Sequence, residues 1–384
     1  MIKYPDYDNC IAGIPNSVLK SMGLEPGRRT LELLDRHLEG RSYENVVVIL
    51  LDGMGKNIMD ANLSKDGFFA SHLAGTFSST FPPTTVAATT SIQSGMEPCE
   101  HGWLGWDCYY PQIDKNVTVF LNKETGTDEQ AESYNVAWRY CGYESTVDRL
   151  LKAGVQAYNA MPFLEPFPDT FEKICDRIAG LCWQPGRKYI YSYWREPDHL
   201  MHEKGCFGKD AKEILGRLEA QVEELCERVS ENKAAGNKCV EKEQGKSDGT
   251  LVIVTADHGH IDTKGVALID YPKICECLSR LPSIEPRALN FFIKPGMEER
   301  FVSEFNRRFS DKFLLLTKEE ALERKLFGEG AEHPAFRDML GDYLAVATGD
   351  LCIYNTREEA DFFIGAHAGL TAEEMTIPLI LVEC

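Results

Sequence analysis

Carboxylate and imidazole side chains follow three apolar runs of this 384-residue sequence. Asp52 follows the first run, Asp198 and His202 follow the second, and Asp257 and His258 follow the third. A single Asp in such a place is usually a turn or helix-capping residue, but together these residues offer the oxygen and nitrogen donors that Zn²⁺ accepts. Two such sites in one crevice would suit phosphoryl transfer, which uses pairs of ions about 3.5–4 Å apart.

A hydroxyl nucleophile is the second feature that could do chemistry. Residues 78–91 read SSTFPPTTVAATTS, a proline-rich turn that leads into a helix of small residues. A hydroxyl at a helix start meets free backbone N–H groups and the positive end of the helix dipole, which favour a phosphate oxygen. Coordination to a metal would activate it without a histidine base, whereas the alternative role is that of a helix-capping threonine.

The elements that must position these groups are four short apolar runs, at residues 46–51, 189–194, 251–255 and 377–382. Because they lack polar alternation, we expect all four to be buried parallel strands. Apolar residues recur at helical spacing over residues 211–228. The sequence therefore predicts an α/β fold with helices on both faces of the sheet, and the carboxyl ends of its strands line the ligand crevice.

The strand and helix pattern is interrupted twice. Residues 231–249 are polar and predict a solvated loop, whereas residues 267–355 contain strand-like pieces of their own, LNFFIK and KFLLL. We therefore predict a catalytic α/β core formed by residues 1–266 and 356–384, with residues 267–355 inserted as an α+β cap.

Composition excludes several classes of protein. The chain has 41 Lys and Arg against 60 Asp and Glu, a net charge of −19, which disfavours a binder of polymeric nucleic acid. The first ten residues lack the basic and apolar pattern of a secretory leader, and no apolar run reaches the length of a membrane span. The 13 cysteines include no C-x-x-C pair, which favours a reducing compartment. We therefore expect a cytoplasmic protein that is not bound to a membrane.

The order of these motifs resembles a known family. It runs LDG at residues 51–53, FPPTT at 81–85, EHG at 100–102, EPDHLMH at 196–202, TADHG at 255–259 and GAH at 365–367. The set resembles the alkaline phosphatase superfamily and, within it, the type I phosphodiesterase/nucleotide pyrophosphatase family. The resemblance implies an alkaline-phosphatase-like α/β/α sandwich with a mainly parallel central sheet and an inserted cap subdomain.

The resemblance also implies roles for individual residues. One divalent ion, expected to be zinc, would be bound by Asp198, His202 and His367, and a second by Asp52, Asp257 and His258. The nucleophile of the family lies ten residues before a glycine that matches Gly95, which assigns it to Thr85, bridging toward the second ion. Thr84 and Thr80 are the alternatives.

One departure from the family affects substrate preference. Family members of the nucleotide type carry an Asn shortly after the HG pair, where it holds a phosphate oxygen, and this sequence has Trp106 there. Another donor, such as the Thr85 N–H, must then hold that oxygen. Of the remaining histidines, we expect His101 to be structural, His260 to lie behind the ligands, and His199 not to be a ligand. Aromatic residues that could stack on a flat leaving group are Phe81, Trp103, Trp106, Tyr109 and Tyr110.

The resemblance therefore implies a metal-dependent hydrolase of phosphodiester or pyrophosphate bonds that works through a phospho-threonine intermediate. Its substrate would be a small phosphate ester, with a nucleotide as one candidate. Because of Trp106, a phosphomonoesterase or phosphonate hydrolase on the same core is the alternative. A catalytically silent metal-binding recognition protein is the remote alternative. The oligomeric state stays open.

Overall fold

A computed structural model of the protein describes residues 1–236 and 249–384. Its strands are β1 (Asn45–Leu51), β2 (Leu73–Ser78), β3 (Asp107–Tyr110), β4 (Lys115–Thr118), β5 (Lys123–Glu124), β6 (Gln156–Ala160), β7 (Lys188–Trp194), β8 (Thr250–Thr255), β9 (Ile261–Asp262), β10 (Lys264–Ala267), β11 (Ser283–Glu285), β12 (Ala288–Phe291), β13 (Phe313–Thr317), β14 (Tyr343–Ala347), β15 (Leu351–Tyr354), β16 (Gly365–Ala366) and β17 (Thr376–Glu383).

The helices alternate with these strands, and a 3₁₀ turn covers Leu268–Asp270. They are α1 (Gly13–Ser21), α2 (Glu32–Leu38), α3 (Lys56–Asn62), α4 (Phe68–Ser71), α5 (Thr85–Ser94), α6 (Pro98–His101), α7 (Val136–Cys141), α8 (Thr146–Lys152), α9 (Phe171–Cys182), α10 (Asp198–Lys204), α11 (Lys209–Gly236), α12 (Pro272–Cys275), α13 (Glu298–Phe309), α14 (Lys318–Glu323), α15 (Phe336–Met339), α16 (Arg357–Phe362) and α17 (Ala372–Met375).

The central sheet has six strands in the order β2-β17-β8-β1-β7-β6. Strands β8, β1, β7 and β6 run parallel to one another, so the predicted mainly parallel sheet is confirmed. The prediction that the fourth run is also parallel is wrong, because β17 is antiparallel to both β8 and β2. A strand covered on both faces is apolar throughout in either direction, so its sequence pattern does not indicate its direction.

Helices pack on the central sheet in two groups. One group contains α1, α2, α5 and α8, and the other contains α3, α4, α9, α10 and α11. Every residue of β1 is buried, as expected for a strand covered on both faces. The predicted helix over residues 211–228 lies within α11, which continues to Gly236. The predicted loop over residues 231–249 is therefore wrong for its first six residues, and residues 237–248 of that prediction lie outside the described chain.

A second sheet has seven strands in the order β13-β14-β12-β11-β3-β4-β5, and all of its pairings are antiparallel. The two strand-like pieces predicted within residues 267–355 are confirmed as parts of β12 and β13. Strands β3, β4 and β5 come from residues 107–124, and β3 joins them to this region by pairing with β11. The division into a catalytic core and an inserted cap stays a prediction. The second sheet contains strands from both the predicted core and the predicted cap.

A buried ion pair joins the two sheets. Arg287, between β11 and β12, donates two hydrogen bonds of 2.7 Å to the carboxylate of Glu374 in α17, and both side chains are fully buried. The Arg287 guanidinium also donates to the carbonyl oxygens of Gly349 and Leu351, so its charge is enclosed by acceptors. The Glu374 carbonyl in turn accepts the N–H of Gly259, at 2.8 Å. The second sheet is thereby bonded to the loop that follows β8.

No disulfide joins the twelve cysteines of the described residues, and eleven of them are buried. Within the same residues, no helix combines the length and the apolar character that a bilayer crossing demands.

Candidate functional site

The predicted metal ligands meet at the carboxyl ends of three adjacent parallel strands. Asp52 directly follows β1, Asp257 and His258 follow β8, and Asp198 begins α10 just after β7. Because β1 lies between β8 and β7 in register, these three strand ends deliver their carboxylates to one edge of the sheet. All three aspartates are buried.

Four side chains form one group whose ligand atoms all lie within 4.8 Å of one another: Asp198, His202, His260 and His367. Asp198 Oδ2 lies 3.3 Å from His202 Nε2, and Asp198 Oδ1 lies 3.1 Å from His260 Nε2 and 3.7 Å from His367 Nε2. His202 is one helical turn beyond Asp198, which places both side chains on the same face of α10. The structure therefore brings the first predicted ligand set together and adds His260 to it.

Asp52, Asp257 and His258 form a second group that meets the same distance criterion. His258 Nε2 lies 3.3 Å from Asp52 Oδ1 and 3.6 Å from Asp257 Oδ2. The rings of His258 and His367 stack with their centroids 3.8 Å apart, which places the two groups side by side. The structure thus brings the second predicted ligand set together in the same crevice as the first.

Backbone carbonyls orient three of the histidines. The Nδ1 atoms of His202, His258 and His367 lie 2.9–3.1 Å from the carbonyl oxygens of Gly365, Gly259 and Pro83. A carbonyl accepts only from an N–H, so each Nδ1 carries a proton, and Nε2 is the ring nitrogen that faces the carboxylates and can bind a metal ion when the ring is neutral. This second set of contacts is how proteins present imidazole to a metal ion.

Two of the three buried carboxylates, those of Asp52 and Asp257, have pKa values that are raised in the folded protein. Burial, together with the neighbouring Asp198, raises the pKa of Asp52 well above its usual range, and burial and Asp52 do the same to the pKa of Asp257. Burial also opposes the charge of Asp198, but His202 outweighs it and holds the pKa of Asp198 well below its usual range. Two of the three acids therefore lack a positive partner strong enough to keep them ionised.

Two carboxylate oxygens of these groups have no hydrogen-bond partner in the described chain although they are buried, namely Asp198 Oδ1 and Asp257 Oδ2. An orphaned buried carboxylate oxygen is costly unless it is paired or coordinates a metal. One such atom lies in each group, beside an imidazole Nε2 atom. The donor sets therefore fit divalent cations, and Asp and His donors of this kind suit Zn²⁺.

Thr85, the first residue of α5, has its hydroxyl directed at the second group. Its Oγ1 lies 3.4 Å from both carboxylate oxygens of Asp52 and 3.4 Å from His258 Nε2. Thr84 points elsewhere, since its hydroxyl donates to Glu285, and the Thr80 hydroxyl is buried without a hydrogen-bond partner. Among the three candidate threonines, only Thr85 faces the candidate metal ligands.

A cavity of about 370 Å³ opens beside Thr85 and Asp198. Trp106 lines it with 43% of its surface exposed. Of the other aromatic residues predicted to stack on a leaving group, Phe81, Trp103 and Tyr110 are buried in a core, and Tyr109 packs against Arg280. His199 lines the cavity but belongs to neither ligand group, and His101 is buried, bonded to Ser91 and Trp103.

The sequence did not indicate two side chains of the site, Tyr193 and Glu285, and the expectation for a third, His260, placed it behind the metal ligands. Tyr193 lies on β7 and donates a hydrogen bond to Asp52 Oδ2, and Glu285 comes from the second sheet. Within the sequence these look like ordinary strand residues, so no local signal marks them. His260 did have a signal: it lies two residues after His258, and alternate residues of an extended segment point to the same side.

Comparison with protein-family models supports the resemblance to the type I phosphodiesterase/nucleotide pyrophosphatase family. Residues 46–175 match the family model described as type I phosphodiesterase / nucleotide pyrophosphatase. This confirms the resemblance. The matched stretch contains Asp52 and Thr85, whereas the remaining predicted ligands follow it in the chain. No curated protein sequence matches this chain significantly.

Solved structures extend the likeness to most of the chain. A structure of murine ectonucleotide pyrophosphatase / phosphodiesterase 5 matches with a TM-score of 0.65 and 17% identity, over 87% of both chains. An inactive threonine-to-alanine variant of the murine protein in complex with AMP gives 0.62 and 17%, over 88% of this chain and 87% of that one. The human counterpart gives 0.61 and 14%, over 88% and 87%. This chain shares their alkaline-phosphatase-like fold.

Proposed function

We propose that this protein is a metal-dependent hydrolase of phosphodiester or pyrophosphate bonds, acting through a phospho-threonine intermediate on Thr85. The observation that carries the proposal is the position of the Thr85 hydroxyl, 3.4 Å from the Asp52 carboxylate and from His258 Nε2, at the start of helix α5. A hydroxyl that faces metal-binding residues and a helix N-terminus is suited to attack phosphorus.

The residues of the site divide the work between binding and attack. Asp198, His202 and His367 would hold one divalent ion, and Asp52, Asp257 and His258 the other, with zinc the expected metal. Bound there, the two ions would supply Lewis-acid charge to the phosphoryl oxygens and lower the pKa of the attacking hydroxyl. The free backbone N–H groups at the start of α5 donate to a non-bridging phosphoryl oxygen.

The reaction proceeds in two displacements. In the first, the Thr85 hydroxyl gives up its proton, its Oγ1 forms a bond to phosphorus, and the bond from phosphorus to the leaving oxygen breaks, after which that oxygen takes up a proton. In the second, a water oxygen bonds to phosphorus, the bond from phosphorus to Oγ1 breaks, and the hydroxyl of Thr85 is restored. A covalent intermediate that divides one difficult displacement into two easier ones is the general form of nucleophilic catalysis.

The substrate in this proposal is a small phosphate ester. The cavity beside Thr85 has room for a small ligand, and among the described residues no lysine or arginine lines it to bind a polymeric nucleic acid. A nucleotide is one candidate, because the murine relative of similar fold is described in complex with AMP. The cytoplasmic location expected from the scattered cysteines, which include no C-x-x-C pair, is part of the same proposal.

A second candidate is a phosphomonoesterase or phosphonate hydrolase on the same core. It is favoured by Trp106, whose side chain has no amide to hold the oxygen that the family's Asn holds. The backbone N–H of Trp106 donates to Glu285 instead, at 2.8 Å. Comparing the turnover of aryl phosphate monoesters, aryl phosphodiesters and aryl phosphonates on one zinc-loaded preparation separates the two candidates.

The decisive experiment compares Thr85→Ala, Thr85→Ser and Thr84→Ala. With bis(4-nitrophenyl) phosphate as substrate, we expect Thr85→Ala to fall to the level of the buffer and Thr85→Ser to keep measurable turnover. Thr84→Ala should keep a covalent intermediate, seen after acid quenching as a peptide that carries one added 4-nitrophenyl phosphoryl group on Thr85, because the first displacement expels only one of the two 4-nitrophenol groups. Equal activity of Thr85→Ala and Thr84→Ala would remove the assignment of the nucleophile.

A further inference from the structure

The carboxylate of Glu374 holds the segment that carries His367. Its Oε1 accepts the backbone N–H of Gly369, two residues beyond His367, at 2.7 Å. Its Oε2 accepts the hydroxyl of Thr371, also at 2.7 Å. Each oxygen accepts from Arg287 as well, and these two parallel bonds fix the direction in which the carboxylate faces the segment. The position of the backbone after His367 therefore depends on the ion pair.

The residue that follows His367 has a strained backbone. Ala368 has a φ of 88°, in the left-handed region that residues other than glycine rarely adopt. Such a conformation persists only where the surrounding contacts determine it. The contacts here are the bond to the Glu374 carboxylate and a bond of 2.9 Å from the Leu370 N–H to the Ala347 carbonyl. If the bond to Glu374 is lost, we expect Ala368 to relax and His367 to turn.

The main chain of Glu374 holds the loop that carries His258. The Glu374 carbonyl accepts the N–H of Gly259 at 2.8 Å, and the Gly259 carbonyl lies 3.0 Å from Nδ1 of His258. The two backbones approach so closely that a Cβ atom at Gly259 would lie 1.9 Å from the carbonyl oxygen of Glu373. Only glycine permits this approach, so the position of α17 sets the position of the loop.

The two segments meet where the rings of His258 and His367 stack. Their centroids are 3.8 Å apart and their planes differ by 18°. His367 belongs to the first metal group and His258 to the second. Glu374 and its partner Arg287 are fully buried, so water does not replace a contact that is removed there. One ion pair therefore supports a histidine of each metal group.

We propose that Arg287 and Glu374 are positioning residues for metal binding, which hold His258 and His367 in the places that the two metal groups require. The inference rests on the metal ligands of the proposed function, but not on the reaction. Because one pair supports both histidines, the two groups should gain or lose metal affinity together. Tyr193, by contrast, donates to Asp52, a ligand of the second group.

The test measures zinc binding and folding on the same metal-free protein. Arg287→Met combined with Glu374→Met leaves no unpaired charge, so this double variant should keep most of the wild-type resistance to urea. Zinc titration in competition with a chelating dye should nevertheless show both dissociation constants raised, each about tenfold. Cobalt bound in place of zinc should give a visible absorption spectrum different from that of wild type, because this spectrum follows the geometry of the ligands.

Two control variants separate positioning from stability. Phe305→Ala removes a ring that packs among Phe291, Phe301 and Phe309 in the core between α13 and the second sheet. It should lower the urea midpoint but leave both zinc dissociation constants and the cobalt spectrum unchanged. Tyr193→Phe should raise the dissociation constant of one group and leave that of the other unchanged.

A conservative variant keeps the inference testable if the double variant does not fold. Arg287→Lys retains the positive charge beside Glu374 but lacks the planar fork that bonds to both carboxylate oxygens. We expect a folded protein whose two zinc dissociation constants rise together and whose cobalt spectrum is altered.

The outcomes separate this inference from the proposed function. If Arg287→Lys and the double variant bind zinc at both groups as tightly as wild type, the pair only stabilises the fold and the inference is wrong. If one constant rises alone, the pair does not support both groups. If Phe305→Ala raises both constants equally, affinity follows stability and the inference also fails.

Turnover is not part of these measurements, so the two proposals can fail separately. If both zinc constants rise as expected but wild type hydrolyses no ester, the proposed function is wrong and the inference stands. If the constants do not change but zinc-loaded wild type hydrolyses bis(4-nitrophenyl) phosphate, the proposed function stands and the inference is wrong. If wild type binds no zinc, both are wrong.

Discussion

The hydroxyl of Thr84 donates a hydrogen bond of 2.5 Å to Oε1 of Glu285, so a carboxylate from the second sheet reaches the first turn of α5. Thr84 immediately precedes the candidate nucleophile, and Glu285 also accepts the backbone N–H of Trp106. Helix α5, which carries the candidate nucleophile, is therefore hydrogen-bonded to the second sheet. The candidate site needs residues from both.

The first prediction concerns Asp257. Its Oδ1 accepts the backbone N–H groups of Gly53 and His258, both at 3.0 Å, while its Oδ2 is unpartnered. Asp257→Asn keeps the accepting oxygen and removes a charge that burial makes unfavourable. Because the pKa of Asp257 is raised in the folded state, its charge lowers stability at neutral pH. We expect metal-free Asp257→Asn to melt at a higher temperature than metal-free wild type.

Zinc should reverse that order. A ligand that binds only the folded state raises Tm in proportion to the logarithm of its concentration over Kd, so wild type should gain and Asp257→Asn should gain much less. Asp311→Asn, an exposed acid, serves as the control and should follow wild type in both conditions. A zinc-induced rise of equal size in all three proteins would argue against Asp257 as a ligand.

The second prediction concerns Tyr193, whose hydroxyl donates to Asp52 Oδ2. Tyr193→Phe removes the hydroxyl that orients this carboxylate and leaves the ring in place. Loss of such a supporting contact commonly costs 10–100-fold in metal affinity or activity, so we expect a loss of about tenfold in zinc affinity. Competition with a zinc-binding dye measures it. Unchanged affinity would show that Asp52 does not need this hydroxyl.

The third prediction concerns the buried pair of Arg287 and Glu374. Arg287→Met leaves a buried carboxylate without its partner, which costs about 3–5 kcal/mol in comparable cases. Replacing both residues with Met should recover most of that loss, because no unpaired charge remains. Urea denaturation followed by tryptophan fluorescence measures the change in unfolding free energy.

Arg337→Met is the matched control, since Arg337 pairs with Glu332 at the surface. An exposed pair contributes about 0–1 kcal/mol, so this variant should stay close to wild type. If the double variant at Arg287 and Glu374 were no more stable than Arg287→Met alone, the loss would come from the missing guanidinium contacts and not from the unpaired carboxylate.

The fourth prediction concerns pH and His101. Its Nδ1 accepts the backbone N–H of Trp103 and its Nε2 faces the Ser91 hydroxyl, both at 3.0 Å, and burial lowers its pKa to about 3. Between about pH 6.5 and 3 the unfolded chain binds a proton at this residue that the folded chain excludes. Stability should therefore fall as pH drops below about 6.5, by up to about 1.4 kcal/mol per pH unit from this group.

Urea midpoints of wild type and His101→Gln between pH 7 and pH 5 measure that slope. The variant should start less stable but lose less stability on acidification. His199→Gln, at an exposed histidine, should keep the wild-type slope. Parallel lines for wild type and His101→Gln would show that His101 is protonated equally in the folded and unfolded states.

Much of the candidate site was predictable because it follows the ends of parallel strands. Asp52, Asp257 and His258 come directly after buried apolar runs, and the geometry of a parallel sheet brings such positions to one edge. Asp198 and His202 add helical spacing to the same signal. His367 and the choice of Thr85 came from the family resemblance, because nothing in their local sequence fixes which strand ends they approach.

The remaining features depend on contacts between distant parts of the chain. Glu285 reaches Thr84 across 201 positions, and Tyr193 reaches Asp52 across 141. The direction of β17 depends on which neighbours it pairs with, which its uniformly apolar residues do not encode. Strand β3 pairs with β11, which lies more than 150 positions later in the chain, so nothing near β3 in the sequence indicates that partner.

The bond from Arg287 to Glu374, and from Glu374 on to Gly259, has a consequence for turnover. Because these bonds hold the second sheet against the loop that follows β8, we expect the width of the cavity to be the same before and after a ligand binds. Discrimination then falls on shape and charge at first contact, and free and liganded forms should superpose closely on each other.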